Sequence, residues 1–288
     1  MKKIPILKPF MPPNLMGKIK KTLYSGWVGE DPKVKLFEKK LKNYLNCKYV
    51  IVVNSGTSAL WLACHLANLK PKEEVISTPM TCSATNIPFL HFGCKIIWAD
   101  IDKETGNISP KDIEKKITEK TKAICIVNYA GRPCKIEEIK KIARKHSIKI
   151  IEDASQSLGA EYNGRKIGYH TDYVCFSLQA VKTITSVDGG ILCMRTKKDY
   201  ERAKKLRWFG IDREKKFKQK NNWQYKINEE GYKFQLNDVL STIGIEQLKY
   251  LNKLITIQRS NAKYYSKTFK NLKNIKILKE SKNVKSSN

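Results

Sequence analysis

The feature that most constrains this chain is an alternation. Short apolar, β-branched runs occupy 49–53, 74–78, 95–99, 123–128, 149–152, 173–177 and 190–194. Many are apolar at consecutive positions, as strands buried on both faces are. Amphipathic segments lie between them, at 57–69, 109–119, 136–146 and 197–208. Strands alternating with helices predict a three-layer α/β/α fold around a seven-stranded, mostly parallel sheet. After residue 194 the pattern changes. A polar, lysine-rich stretch covers 212–230, and two long helical patterns follow at 237–251 and 253–269. The expected division is a large domain over 1–245, including an N-terminal arm, and the start of a truncated small C-terminal domain over 246–288.

A chain of 288 residues, 41% hydrophobic and 29% charged, can bury a large core. It has no apolar run of membrane-spanning length. Its basic N-terminus, MKKIPILKPFMPPNL, lacks the apolar core and cleavage site of a signal peptide. None of the eight cysteines stands in a CxxC pair, and no histidine cluster joins them at zinc spacing. Reduced, buried thiols in a cytoplasmic protein without a metal site are expected. The formal charge of +29 comes mostly from lysines spread end to end. With no Arg-rich stripe and no nucleic-acid-binding module, it reads as a solvated surface rather than specific nucleic-acid recognition. A field of this sign would still favour anionic substrates such as nucleotide diphosphates.

In open α/β sheets, ligands sit beyond the carboxyl ends of the strands, and three polar segments fall there. Asn54-Ser55-Gly56-Thr57-Ser58 follows the first run and opens a helix. It reads as a phosphate cradle or as ordinary helix capping. Glu152-Asp153, with Gln156 behind it, ends the fifth run. An acid there suits a metal, a salt bridge or a ring nitrogen equally well. Lys182 lies among small and apolar neighbours, five residues after Ser177 and before the Asp188-Gly189-Gly190 turn. It is either a solvated lysine or a desolvated nucleophile. Together the three match the needs of pyridoxal 5′-phosphate (PLP): a Schiff-base lysine, an acid for the pyridinium nitrogen and donors for the phosphate.

The segments NSGTSAL, TPMTCSATN, IEDASQSLGAEYNGRKIG, FSLQAVKTITSVDGG and GYKFQLNDVLSTIGIEQL resemble those of the DegT/DnrJ/EryC1/StrS sugar aminotransferases. The resemblance spans roughly residues 8–252 and implies the aspartate-aminotransferase fold, type I. It implies that Lys182 binds PLP covalently and is catalytic with Asp153, which faces the ring nitrogen. Gln156 would lie against the cofactor, and Gly56, Thr57, Ser58 and Ser177 would bind its phosphate. Cys82 stands where the family often has an aromatic residue stacked on the ring. Lys233 stands where a family asparagine reaches the phosphate of the other subunit. The resemblance further implies a homodimer with shared active sites, L-glutamate as donor, and a keto-deoxy-sugar nucleotide as acceptor. A 4-keto-6-deoxy hexose on UDP, GDP or dTDP is expected, for amino-sugar and surface-glycan synthesis. Relatives with histidine at the Lys182 position are dehydratases, so this chain resembles the aminotransferases. The alternative is a non-catalytic homologue, a PLP-binding or dimeric scaffold. Arg207 and Arg213 are expected either near the nucleotide or as helix-surface cations.

Overall fold

The computed structural model describes residue 5 and residues 7–213, 227–278 and 280–287. Most of the lysine-rich stretch 212–230 therefore lies outside the described residues. All seven expected strands form one sheet: β1 (Tyr49–Val53), β2 (Glu74–Ser77), β3 (Lys95–Trp98), β4 (Thr121–Val127), β5 (Lys149–Asp153), β8 (Tyr173–Ser177) and β9 (Gly190–Met194). Two short strands, β6 (Glu161–Tyr162) and β7 (Arg165–Lys166), join β10 (Val284–Lys285) in a small separate sheet. The large sheet runs β1-β9-β8-β5-β4-β2-β3. Its neighbours are parallel except around β9, which is antiparallel to both β1 and β8.

The helices are α1 (Leu15–Leu23), α2 (Pro32–Leu45), α3 (Gly56–Leu66), α4 (Ser83–His91), α5 (Pro110–Lys116), α6 (Ile136–Lys145), α7 (Lys197–Leu206), α8 (Asp238–Leu248) and α9 (Leu251–Phe269). Strand residues alternate between the sheet's two faces. Val50, Val52, Ile124, Ile126, Val174 and Phe176 face one core, with Phe37 and Leu41 of α2, Ile139 of α6 and Ile255 of α9. Ile51, Val53, Ala123, Cys125, Tyr173 and Cys175 face the other, with Leu62 of α3, Phe89 of α4 and Leu206 of α7. Continuous apolar runs are thus required by a helix layer on each side, which gives the three-layer architecture.

Two buried polar clusters, one of them ionic, hold these layers. Helix α2 has no side-chain cap of its own. The Asp238 carboxylate, from the first turn of α8, accepts the N–H groups of Asp31, Lys33 and Val34 at 3.0–3.1 Å. A negative charge at a helix N-terminus is favourable for both its hydrogen bonds and the helix dipole. Arg207, just past α7, is buried. It donates to Glu38 of α2 at 2.6 Å, Glu30 at 2.5 Å and the Val52 carbonyl of β1 at 2.9 Å. Arg207 is therefore not a surface cation. Arg213 pairs with Glu30 at 3.0 Å and lies over the Trp208 ring.

Removing one member of a buried ion cluster leaves its partners charged and unpaired, at roughly 3–5 kcal/mol. Arg207→Ala should lower unfolding stability by about that amount in denaturant titration. A midpoint like that of the wild type would mean that the cluster contributes no net stability.

Candidate active site

A cavity of about 310 Å³ opens beyond the carboxyl ends of β1, β5 and β8. Gly56, Thr57, Thr81, Cys82, Thr85, Asp153, Gln156, Ser177, Lys182 and Asp188 are among the residues that line it. Seven of the nine residues expected from the sequence are thus gathered in one place.

The α3 side is built by its N-cap. Ser55 is extended, and its hydroxyl accepts the Ser58 N–H at 3.0 Å. The amides of Gly56 and Thr57 belong to the first helical turn and have no acceptor within the helix. That turn lies against β8 and β9 because two positions lack a side chain. A Cβ on Gly56 would sit 2.9 Å from the Ser177 Cβ, and one on Gly190 only 2.2 Å from the Ser55 carbonyl oxygen. The Ser177 hydroxyl accepts the Gln179 N–H at 3.3 Å, which leaves its own proton to donate. Free amides, a helix dipole and a hydroxyl converge here, as an anion site requires.

Lys182 stands in the turn after β8, where its N–H donates to the Gln179 carbonyl at 2.9 Å. Its side chain is half-buried. Among the described residues, no carboxylate forms an ion pair with its ammonium group. Across the cavity, Asp153 is the last residue of β5 and is buried. Its Oδ1 accepts the Ser155 N–H at 3.0 Å, and its Oδ2 accepts the Thr85 hydroxyl at 2.6 Å.

Strand alternation sends the neighbouring Glu152 to the opposite face of the sheet. There it is fully buried and accepts from Asn128 at 2.7 Å and Thr171 at 2.8 Å. Burial pushes its pKa up from 4.5 to about 7 despite those two donors. The side-chain oxygen of Gln156 accepts the Ala130 N–H at 2.9 Å, and its carbonyl accepts the Ser287 hydroxyl at 2.9 Å. Cys82 is exposed at the N-cap of α4, whereas the other seven cysteines are buried.

Two expected residues lie off the cavity. The Ser58 hydroxyl donates to Asn54 Oδ1 at 2.6 Å. The Lys233 ammonium sits 3.8 Å from the centre of the Trp208 ring. Conversely, Thr85 and Asn128 line the cavity without having been singled out. Thr85 follows Thr81 by four residues within TPMTCSATN, and Thr81, just before the Cys82 N-cap of α4, meets it hydroxyl to hydroxyl at 2.7 Å.

The profile of the DegT/DnrJ/EryC1/StrS aminotransferase family matches residues 12–288. A UDP-4-amino-4,6-dideoxy-N-acetyl-beta-L-altrosamine transaminase of Campylobacter jejuni is 36% identical over 240 residues, 82% of this chain and 62% of that relative. The GDP-perosamine synthase of Escherichia coli O157:H7 is 31% identical over 285 residues, 99% of this chain and 76% of the relative. Among solved structures, the sugar aminotransferase CalS13 of Micromonospora echinospora superposes with a TM-score of 0.93 at 29% identity, covering 99% of this chain and 78% of that one. The PLP-form of the putative sugar aminotransferase Spr1654 of Streptococcus pneumoniae gives a TM-score of 0.90 at 26% identity, covering 99% and 76%.

The raised pKa of Glu152 makes stability depend on pH. The folded protein holds this proton more tightly than the unfolded chain. The contribution is therefore fully present below 4.5 and is lost as pH rises through about 7. Glu152→Gln, which keeps an acceptor for Asn128, should match the wild type near pH 4. Near pH 8 it should exceed it by roughly 3 kcal/mol at most. Parallel stability–pH profiles for the two proteins would rule this out.

Proposed function

The chain belongs to the DegT/DnrJ/EryC1/StrS aminotransferase family, whose members are PLP-dependent. From that premise we propose that it transfers an amino group from L-glutamate to a keto-deoxy-sugar nucleotide. The observation that carries this reading is the convergence of Lys182, Asp153 and the α3 N-terminus on one cavity. The acceptor we assign is a 4-keto-6-deoxy hexose on UDP, GDP or dTDP. It follows from the family and from relatives named as an altrosamine transaminase and a perosamine synthase.

The residues present fit PLP. An anion cradle that a Cβ at Gly56 would obstruct suits the phosphate. A buried carboxylate stands opposite, and the Lys182 amine, without an ion-pair partner among the described residues, lines the same cavity. When bound, PLP supplies an electron sink for the carbon that carries the amino group. Lys182 Nζ would hold the cofactor covalently and then carry the proton to and from that carbon. The Asp153 carboxylate would hold the proton on the ring nitrogen. The Gly56 and Thr57 amides and the Ser177 hydroxyl would bind the phosphate, while the Ser58 hydroxyl serves the cap through Asn54 and Ser55. Gln156 and Cys82 would border the ring, Cys82 leaving open the space that an aromatic side chain would fill.

Exposed apolar side chains flank the site: Met80 beside Thr81, Val181 beside Lys182 and Val187 beside Asp188. They are a surface that a second copy would cover, which supports a homodimer. In that dimer Lys233 is the cation we assign to the phosphate in the other copy's site. We divide the chain into a large domain at 1–245 and a second segment at 246–288, whose Ile255 packs into the core of the first. We place the enzyme in the cytoplasm, where its free thiols stay reduced. No helix among the described residues is long and apolar enough to cross a membrane.

With PLP, the purified protein should show a visible absorbance band that L-glutamate bleaches and a keto-sugar nucleotide restores. Lys182→Ala should abolish the bleaching and lower turnover by at least about 10³-fold. A wild-type band indifferent to glutamate would instead favour a PLP-binding scaffold.

A further inference from the structure

We propose that Thr81 and Thr85 form a hydroxyl relay that positions the Asp153 carboxylate against the cofactor's ring nitrogen. This rests on the reading of Asp153 given above, and it makes Thr85 a positioning residue rather than a catalytic one.

The direction of the relay follows from proton counting. Thr85 has one hydroxyl proton and donates it to Asp153 Oδ2 at 2.6 Å. Its 2.7 Å contact with Thr81 Oγ1 must therefore have Thr81 as donor. With the Ser155 N–H on Oδ1 at 3.0 Å, each carboxylate oxygen carries one protein donor. The torsion of the carboxyl group is thereby fixed from both sides. A hydroxyl donating to a carboxylate at this distance is in the strong, charge-assisted class.

The relay has one wet end and one dry end. Thr81 is half-buried on the cavity wall, whereas Thr85 is 1% exposed and Asp153 5%. Water has little access to the inner contact and cannot readily replace a lost hydroxyl there. The helix that carries Thr85 is itself anchored. Asn86, the next residue, accepts the Ser77 hydroxyl at 2.6 Å and donates to the Thr78 carbonyl at 3.2 Å. These bonds pin α4 to the end of β2, so Thr85 meets Asp153 from a fixed base. Without that hydroxyl, Oδ2 loses its only side-chain donor among the described residues, and the carboxylate gains freedom to turn from the ring.

The test uses full-length protein loaded with PLP and the variants T85V, T85S, T81V and D153N. Two quantities are read: the PLP dissociation constant, and the pH midpoint of the cofactor's visible band. T85V should weaken PLP binding roughly tenfold, the scale of one lost hydrogen bond to a charged group, and should move the midpoint. T85S should restore both, and T81V should move both in the same direction by less. A loss of packing alone would lower the melting temperature without moving the midpoint. If T85V keeps wild-type values while D153N changes both, the relay is wrong and the reading of Asp153 stands. If D153N also keeps wild-type values, the reading of Asp153 itself fails. Should T85V not fold, wild-type values in T81V overturn the relay.

Discussion

The first turn of α3 can touch the ends of β8 and β9 only because Gly56 and Gly190 carry no side chain. At Gly190 the clearance to the Ser55 carbonyl oxygen would be 2.2 Å for a Cβ, far inside van der Waals contact. That closeness sets the distance between the free amides of α3 and the Ser177 hydroxyl. The turn that carries Lys182 leaves β8 at the same point. An anion cradle and an amine are thus held side by side by backbone packing rather than by flexible side chains. Sites supported in this way keep their geometry through the chemistry they perform.

The opposite wall obeys a different constraint. Asp153 ends a strand buried on both faces, and its two oxygens are held by Ser155 and Thr85. Its neighbour Glu152 points the other way and is absorbed into a buried network with Asn128 and Thr171. One strand end therefore holds two carboxylates in separate environments. One faces a cavity, and the other is held in the core at a cost in stability that grows as pH rises. The fold places these groups without a metal cluster among the described residues.

Much of this was legible in the sequence. The seven strands were, because a helix layer on each side demands continuous apolar runs, and those runs are hard to mistake. The Lys182, Asp153 and Gly56 constellation was too, since its parts fall just after strands. Three things were obscured. Helix α4 contains Pro88 and begins on Cys82 without a side-chain cap, so its local signals are poor although it delivers Thr85 to the site. The burial of Arg207 depends on Glu30 and Glu38, far away in sequence, so a lysine-rich neighbourhood made it resemble a surface cation. Ser58 is part of the same polar run as Gly56 and Thr57. Only the cap geometry shows that its hydroxyl turns back to Asn54.

In a chain with 56 lysines and arginines, the proposed function singles out one lysine as the amine that holds the cofactor. Borohydride reduction of the PLP-loaded protein, followed by proteolysis and mass spectrometry, tests it most directly. A pyridoxyl adduct concentrated on the peptide that contains Lys182 is expected. An adduct on another lysine, or label spread over the surface lysines with none favoured, would contradict it.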